Sequence, residues 1–300
     1  MSERELKTKN GQPIGPVGLG TFPLRGDVMK DTMLTAFQAG YKLFDTSDDY
    51  WNEDGIGSGL EEGINKGLFS REDIFLQTKV SVCDSYLMDY RQNSYFTRYS
   101  SVMKNFSVRD VVRSQVFNSL KEMKTNYADS VLLHFAYPSF YEEMWESLIE
   151  LKNEGFIRHI GVSNFNVKEL ESLKNTAQVP EINEIYISPF GTKRELVNYC
   201  RENNIQVMTY SPLCVIRGNM FNNDVIPSLC QKYGKSQAQI VLRWNHQVGS
   251  IPLPKSGNEI RLKENHDLLD FELTEEEMNE LNKLDFNHQY MPISKECPGL

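Results

Sequence analysis

Eight short extended runs alternate with helix-like segments along almost the whole chain, and this alternation limits the possible folds more than any other feature. Strands that alternate with helices imply right-handed crossovers and a parallel sheet. The predicted strands are Val17–Thr21, Lys42–Asp45, Ile74–Val80, Ser130–His134, His159–Val162, Glu184–Ile187, Gln206–Tyr210 and Gly249–Pro252.

The segments between these runs have helical periodicity. Apolar residues recur at intervals of three or four in 112–123 and 140–151, which gives each segment one apolar stripe. Ser107 and Thr274 begin sequences of the capping-box form. Asn10-Gly11 is typical of a hairpin turn near the start.

These patterns favour an α/β protein with one domain over residues 1–300, because no linker or change in composition divides the chain. Eight strand–helix repeats predict a single (β/α)8 TIM barrel with an N-terminal β-hairpin and long loops at its C-terminal face. The alternative fold is a doubly wound open sheet. It would need a dinucleotide fingerprint after the first strand, but Pro23 stands where the third glycine should follow Gly18 and Gly20.

Charge and cysteine usage exclude several classes of function. The net charge of -9 argues against binding to nucleic acid or to acidic lipid. The start lacks an apolar signal segment, and no stretch approaches the ~18 apolar residues of a membrane helix. The five cysteines form no CxxC pair and no metal-ligand spacing. We therefore expect a cytoplasmic protein without a metal site, membrane contact or nucleic-acid partner, as a monomer or weak homo-oligomer.

Four reactive side chains lie at or just after predicted strand ends. Asp45, Lys79 and His134 lie at the ends of three strands, and Tyr50 lies in the loop after Asp45. Parallel strands that lie side by side would bring all four groups to one face. A hydroxyl, a neighbouring cation, a carboxylate and an imidazole are suited to proton transfer onto a carbonyl oxygen.

Two long segments offer candidate walls for a substrate pocket. Residues 83–106 are rich in aromatic side chains, including Tyr86, and the chain after Phe286 is irregular. Long loops in a compact barrel are usually functional or disordered. With Phe22 and Trp51, which adjoin the candidate site in sequence, they predict an apolar pocket.

Five segments, in the expected order, resemble those of the aldo-keto reductases. Residues 39–53 resemble the first signature of that family, and residues 129–134 resemble the segment that ends in its catalytic histidine. Residues 161–165, 210–213 and 255–265 are similar to its nicotinamide and nucleotide-phosphate segments. Together these matches are much more specific than any one of them.

The resemblance implies a role for each matching residue. Tyr50 is implied as general acid, Lys79 and Asp45 as the residues that tune it, and His134 as the group that orients the substrate carbonyl. Phe22, Trp51, Tyr86 and His134 are the expected substrate contacts. The implied cofactor contacts are Gly20, Thr21, Asp45, Ser163, Asn164, Glu184, Tyr210, Ser211, Leu213, Lys255, Ser256, Arg261, Glu264 and Asn265.

Two features of the cofactor segments bear on specificity. The cations Lys255 and Arg261 suit a 2′-phosphate, so we expect NADPH/NADP+ and not NADH. Glu184 stands where the family usually has the glutamine that binds the nicotinamide carboxamide. An ionised Glu184 can accept a hydrogen bond there but cannot donate one.

The sequence therefore predicts an NADPH-dependent oxidoreductase that reduces an aldehyde or ketone, with an apolar or aromatic carbonyl compound as substrate. A non-catalytic cofactor-binding or regulatory protein on the same scaffold is the alternative from another class. A dehydrogenase that acts in the oxidative direction is a third possibility.

Overall fold

The described part of the chain forms a barrel of eight parallel strands in sequence order. The computed structural model describes residues 6–81, 107–136, 141–219 and 223–289. Neighbours in the sheet are neighbours in the chain, from β1 to β8. The strands are β1 Leu19–Gly20, β2 Leu43–Asp45, β3 Phe75–Val80, β4 Ala128–Leu133, β5 Ile157–Ser163, β6 Ile182–Ile185, β7 Gln206–Tyr210 and β8 Ser250–Leu253.

Backbone hydrogen bonds between the first and last strand regions close the sheet. Gly18 N donates to Pro252 O at 3.0 Å, and Gly20 N donates to Pro254 O at 3.2 Å. Each observed strand overlaps one of the eight predicted runs. The TIM-barrel prediction is confirmed, and the open-sheet alternative is wrong.

Helices lie in the connections between strands and pack on the outer faces of the sheet. Val112, Val116 and Leu120 are buried as the spacing predicts. Ser107 Oγ accepts from Asp110 N, and Thr274 begins a complete capping box. The described helices are α1 Gly26–Gln38, α2 Glu53–Asn65, α3 Val108–Glu122, α4 Tyr141–Asn153, α5 Val167–Ser172, α6 Arg194–Glu202, α7 Val225–Tyr233, α8 Gln237–Gln247, α9 Glu259–His266 and α10 Glu275–Asn282.

The N-terminal hairpin covers the end of the barrel at which the strands begin. Lys7 and Pro13 form an antiparallel bridge, and Gly11 in the turn has a φ of 86°. Leu6 and Ile14 join the apolar cluster inside the barrel. The predicted hairpin is therefore present and closes the end opposite the candidate site.

The barrel interior changes from apolar to polar as the strands approach their carboxyl ends. The apolar cluster on the hairpin side of the barrel interior includes Leu43, Phe75, Leu132, Ile182 and Met208. Two residues further along the same five strands stand Asp45, Gln77, His134, Glu184 and Tyr210. Since side chains two apart on a strand point to the same face, the polar groups form the next layer. The fold thus gathers polar chemistry at the C-terminal face.

None of the described helices combines the length and apolar character that crossing a membrane requires.

Candidate active site

The four residues expected to carry the chemistry lie at the C-terminal face of neighbouring strands. Asp45 ends β2, Lys79 is the second-last residue of β3, and His134 follows β4 directly. Tyr50 ends the single 3-10 turn Asp48–Tyr50 that comes after β2. Active sites of this fold are built at this face from the ends of several strands.

Lys79 is a buried cation that contacts two carboxylates. Its side chain is 1% exposed, and its Nζ donates to Asp45 Oδ1 at 2.6 Å and to Thr46 O at 3.0 Å. Glu184 Oε1 lies 3.2 Å from the same nitrogen. Burial opposes the charge, but Asp45 and Glu184 outweigh it, so the pKa of Lys79 lies above its ordinary value. Lys79 therefore stays protonated.

Gln77, which no sequence motif indicated, connects this charged group across the barrel. Its Nε2 donates to Asp45 Oδ1 at 2.9 Å and to Glu184 Oε2 at 2.8 Å. Ser130 Oγ donates to Gln77 Oε1 at 2.7 Å, which fixes the orientation of the amide. The available signal was a glutamine two residues before Lys79, which places both side chains on the same interior face of β3.

Tyr50 lies beside the charged group and beside the imidazole. Lys79 Nζ is 5.3 Å from the Tyr50 ring centroid, and the His134 ring centroid is 6.0 Å from it in an edge-on arrangement. Burial raises the pKa of Tyr50; Lys79 lowers it, while Asp45 and Glu184 raise it further. The expected lowering by Lys79 is present but smaller than the effect of burial, so the phenol is protonated at neutral pH.

Three polar side chains to which no sequence motif assigned a role surround Nδ1 of His134. Ser81 Oγ lies 2.9 Å and Ser47 Oγ 3.2 Å from this nitrogen, and Asp49 Oδ2 lies 3.4 Å from it. Burial lowers the pKa of His134, against the opposite effect of Asp49. The ring is therefore neutral at neutral pH. When Ser81 donates to Nδ1, the ring proton lies on Nε2.

The residues matched to the nicotinamide segment form one hydrogen-bonded set. Asn164 Nδ2 donates to His134 O at 3.1 Å, and Tyr210 OH donates to Asn164 Oδ1 at 2.9 Å. Ser163 Oγ donates to Glu184 O at 3.0 Å. Asn164 has a φ of 62°, a left-handed conformation that asparagine tolerates better than most residues. β5, β6 and β7 therefore bring this segment next to His134.

The residues matched to the nucleotide-phosphate segment lie in the loop after β8 and in α9. Lys255 and Arg261 are exposed, whereas Ser256 is buried. Arg261 N donates to Asn258 Oδ1, the N-cap of α9, at 3.1 Å. Two exposed cations beside a helix N-terminus form an arrangement suited to an anion. Glu264 is exposed and Asn265 is buried on the same helix.

The other expected cofactor contacts lie at the ends of β1 and β7. Gly20 ends β1, and Ser211 and Leu213 follow β7. Thr21 is fully buried, and its hydroxyl donates to Asp45 O at 2.9 Å. Thr21 thereby ties the end of β1 to the residue that pairs with Lys79.

Two of the expected substrate contacts present aromatic surface beside Tyr50. Phe22 is 46% exposed and its ring centroid is 5.2 Å from that of Tyr50. Trp51 is 41% exposed, has a φ of 54°, and lies 5.8 Å from the Arg25 guanidinium. Tyr86 and the other aromatic residues of 83–106 lie outside the described residues, as does the C-terminal tail after 289.

A cavity of about 1150 Å³ adjoins the nicotinamide-segment residues. It is lined by Asn164 and Tyr210 and extends toward Lys193 and Phe286. Within the described residues, no group of three or more His, Cys, Asp or Glu side chains is placed to hold a metal ion.

Comparison with known proteins gives consistent matches over almost the whole chain. The family model described as "Aldo/keto reductase family" matches residues 16–285. A glyoxal reductase of Bacillus subtilis is 33% identical over 290 residues, which cover 96% of this chain and 95% of that protein. A methylglyoxal reductase of Escherichia coli is 32% identical over 297 residues, 98% of each chain. The crystal structure of a Bombyx mori aldo-keto reductase in complex with NADP has a TM-score of 0.80 at 30% identity and covers 98% of this chain and 97% of that one.

Proposed function

Because the chain belongs to the aldo/keto reductase family, we propose that it reduces an aldehyde or ketone to the alcohol with NADPH, and that Tyr50 supplies the proton. The family match makes the chain an NAD(P)H-dependent oxidoreductase. The residue roles rest on one observation above all. Lys79, Tyr50 and His134 meet at one end of the barrel, with Lys79 Nζ 5.3 Å and the His134 ring 6.0 Å from the Tyr50 ring.

Tyr50 acts as general acid in this proposal. A free tyrosine with a pKa of about 10 is a reluctant donor to a weakly basic carbonyl oxygen. Lys79 is the charge that lowers the pKa of Tyr50, against burial and the neighbouring carboxylates. An adjacent ammonium stabilises the phenolate that remains after proton transfer. Asp45, 2.6 Å from Lys79 Nζ, holds that ammonium in place.

His134 orients the carbonyl group. A neutral imidazole with Nδ1 accepting from Ser81 carries its proton on Nε2 and can donate that hydrogen bond to the substrate oxygen. Two donors aimed at one oxygen stabilise the negative charge that develops as hydride arrives at carbon.

The cofactor lies, in this proposal, along the ends of β5, β7 and β8, and NADPH supplies the hydride. Ser163 and Asn164 offer hydroxyl and amide groups for the carboxamide, and the Tyr210 ring offers a flat contact. The exposed cations Lys255 and Arg261 suit the 2′-phosphate that distinguishes NADPH from NADH. The complexes of solved relatives with NADP and NADPH support this choice.

The substrate is, in this proposal, a small carbonyl compound with an apolar or aromatic body. Exposed aromatic surface on Phe22 and Trp51 beside Tyr50 supports this, since pockets for small molecules are mainly apolar with few polar anchors. The relatives named as glyoxal and methylglyoxal reductases point instead to short dicarbonyl compounds. A substrate panel should therefore contain both kinds.

The direct test measures NADPH oxidation with that panel in the parent and in Tyr50→Phe. General acid catalysis contributes about 10²–10⁴-fold, so kcat should fall by that factor while NADPH binding persists. Tyr199→Phe, which removes a hydroxyl bonded to Glu171 on the outer surface, is the control and should keep full activity. Near-parental turnover in Tyr50→Phe would remove Tyr50 from its proposed role.

A parent protein that binds NADPH but reduces no member of the panel would favour the regulatory alternative. Faster turnover with alcohols and NADP+ than with carbonyls and NADPH, measured at equal saturation, would favour the oxidative direction.

A further inference from the structure

The buried carboxyl group of Glu184 lies within ion-pair distance of Lys79. Its side chain is 1% exposed, and both carboxylate oxygens have partners inside the barrel. Oε1 lies 3.2 Å from Lys79 Nζ, and Oε2 accepts from Gln77 Nε2 at 2.8 Å. Its backbone partners on β5 and β7 are Ser163 and Met208, neither of which is charged. The side chain is therefore bound into the network around Lys79.

That network holds two carboxyl groups and one cation. Gln77 Nε2 donates to Asp45 Oδ1 as well as to Glu184 Oε2, so one amide nitrogen holds the two carboxyl groups close together. Asp45, Lys79 and Glu184 are all nearly inaccessible to solvent. Two ionised carboxylates around a single buried ammonium leave one unbalanced negative charge, which a proton on one of them removes.

We propose, on the basis of the function proposed above, that Glu184 is a pH-dependent positioning residue that controls how strongly Lys79 supports Tyr50. With Glu184 protonated, Lys79 is balanced by Asp45 alone and keeps its full effect on the neighbouring phenol. With Glu184 ionised, Lys79 is shared between two carboxylates, and the support for proton donation by Tyr50 weakens.

Glu184 ionises close to physiological pH because of the groups that surround it. Burial and the neighbouring Asp45 raise the pKa of Glu184 to about 8, against the lowering effect of Lys79. The titratable or charged groups that face it are Asp45 from β2, Lys79 from β3 and Tyr50 from the turn after β2. Ionised Glu184 also raises the pKa of Tyr50 directly, which makes the phenol a weaker acid.

The test compares the pH profile of kcat for carbonyl reduction in the parent and in Glu184→Gln. A change of one unit in the pKa of a proton donor alters its acidity about tenfold. We expect parental kcat to fall by up to that factor as pH rises through about 8. Glu184→Gln keeps the shape of the side chain and cannot ionise, so its profile should remain flat over the same range. Glu184→Met, also not titratable, provides the same comparison if the amide variant folds poorly.

Glu181→Gln is the matched control, because it removes another buried carboxylate just before β6 that pairs with Lys152 and His159. It should retain the parental fall in kcat. A fall in kcat that persists unchanged in Glu184→Gln, or a flat profile in the parent, would overturn the proposal.

A second measurement is independent of turnover. Subtraction of the Glu184→Gln infrared spectrum from the parental spectrum at neutral pH should leave the C=O stretching band of a protonated carboxylic acid, and this band should disappear as pH rises through about 8. The subtraction removes any contribution of Asp48, a buried carboxyl group whose pKa is also raised and which both proteins contain. A parent without this band at neutral pH would refute the inference even if the enzyme is active. A parent that shows the titrating band but reduces no carbonyl compound would count against the proposed function alone.

Discussion

Replacement of Lys79 by methionine should destabilise the protein strongly, because it leaves the buried carboxylate of Asp45 without its cation. Lys79 Nζ lies 2.6 Å from Asp45 Oδ1 and 3.2 Å from Glu184 Oε1, and its side chain is 1% exposed. At an effective dielectric constant of ~20 the ion pair with Asp45 is worth about 6 kcal/mol before desolvation is counted. Glu184, whose pKa is raised to about 8, is protonated at neutral pH and adds no second ion pair there. Desolvation of the ions offsets much of this attraction. Loss of one partner from a buried pair therefore costs about 3–5 kcal/mol net.

Urea unfolding followed by tryptophan fluorescence and circular dichroism measures this loss as a change in the free energy of unfolding. Lys66→Met is the control, since Lys66 Nζ also lies 2.6 Å from a carboxylate, Glu62, but on an exposed helix face. That exposed pair is screened by solvent, so the control should stay close to the parent. In Asp45→Asn/Lys79→Met the orphaned carboxylate of Asp45 is gone, and part of the stability should return. A loss below about 1 kcal/mol in Lys79→Met would show that the buried network has been misjudged.

Three further predictions concern the cofactor, the pocket and the packing of the barrel. Arg261→Ala should weaken NADPH binding by about 10–100-fold and leave NADH binding nearly unchanged, because it removes one charge-assisted hydrogen bond of about 1.5–3 kcal/mol. Equal losses of affinity for NADPH and NADH in a fluorescence titration would contradict a role of Arg261 in phosphate recognition. Trp51→Ala should lower kcat/KM for an aromatic aldehyde more than for a short sugar aldehyde, since the exposed ring is the proposed apolar wall; unchanged efficiencies for both would remove Trp51 from the pocket. Gly57→Ala should lower the free energy of unfolding by about 1–3 kcal/mol, because the added Cβ would lie 2.2 Å from the backbone oxygen of Glu122. Gly257→Ala, whose Cβ would have no neighbour nearer than 3.5 Å, is its control, and equal stability of the two variants would refute the packing argument.

Much of the fold could be predicted from the sequence because local periodicity reports directly on local structure. Short apolar runs, separated by segments in which apolar residues recur every three or four positions, located all eight strands. Reactive side chains at or just after the ends of predicted strands, as Asp45 after Leu43 and Phe44, also indicated which end of the strands carries the chemistry. Because parallel strands end at one edge, the convergence of Asp45, Tyr50, Lys79 and His134 on a single face followed from the sequence as well.

The tertiary structure decided which polar groups of distant strands meet. Gln77 on β3 reaches Glu184 on β6, and these strands are not neighbours in the sheet. Their heights in the barrel depend on strand tilt and stagger, which no local pattern records. The pKa of Tyr50 likewise depends on tertiary structure. Burial, Asp45 and Glu184 raise this pKa and Lys79 lowers it, so the direction of the net shift depends on the positions of these groups in space. The sequence alone therefore determined the barrel and the face that carries the reactive groups, whereas the closed barrel determined that Lys79 lies between the carboxyl groups of Asp45 and Glu184.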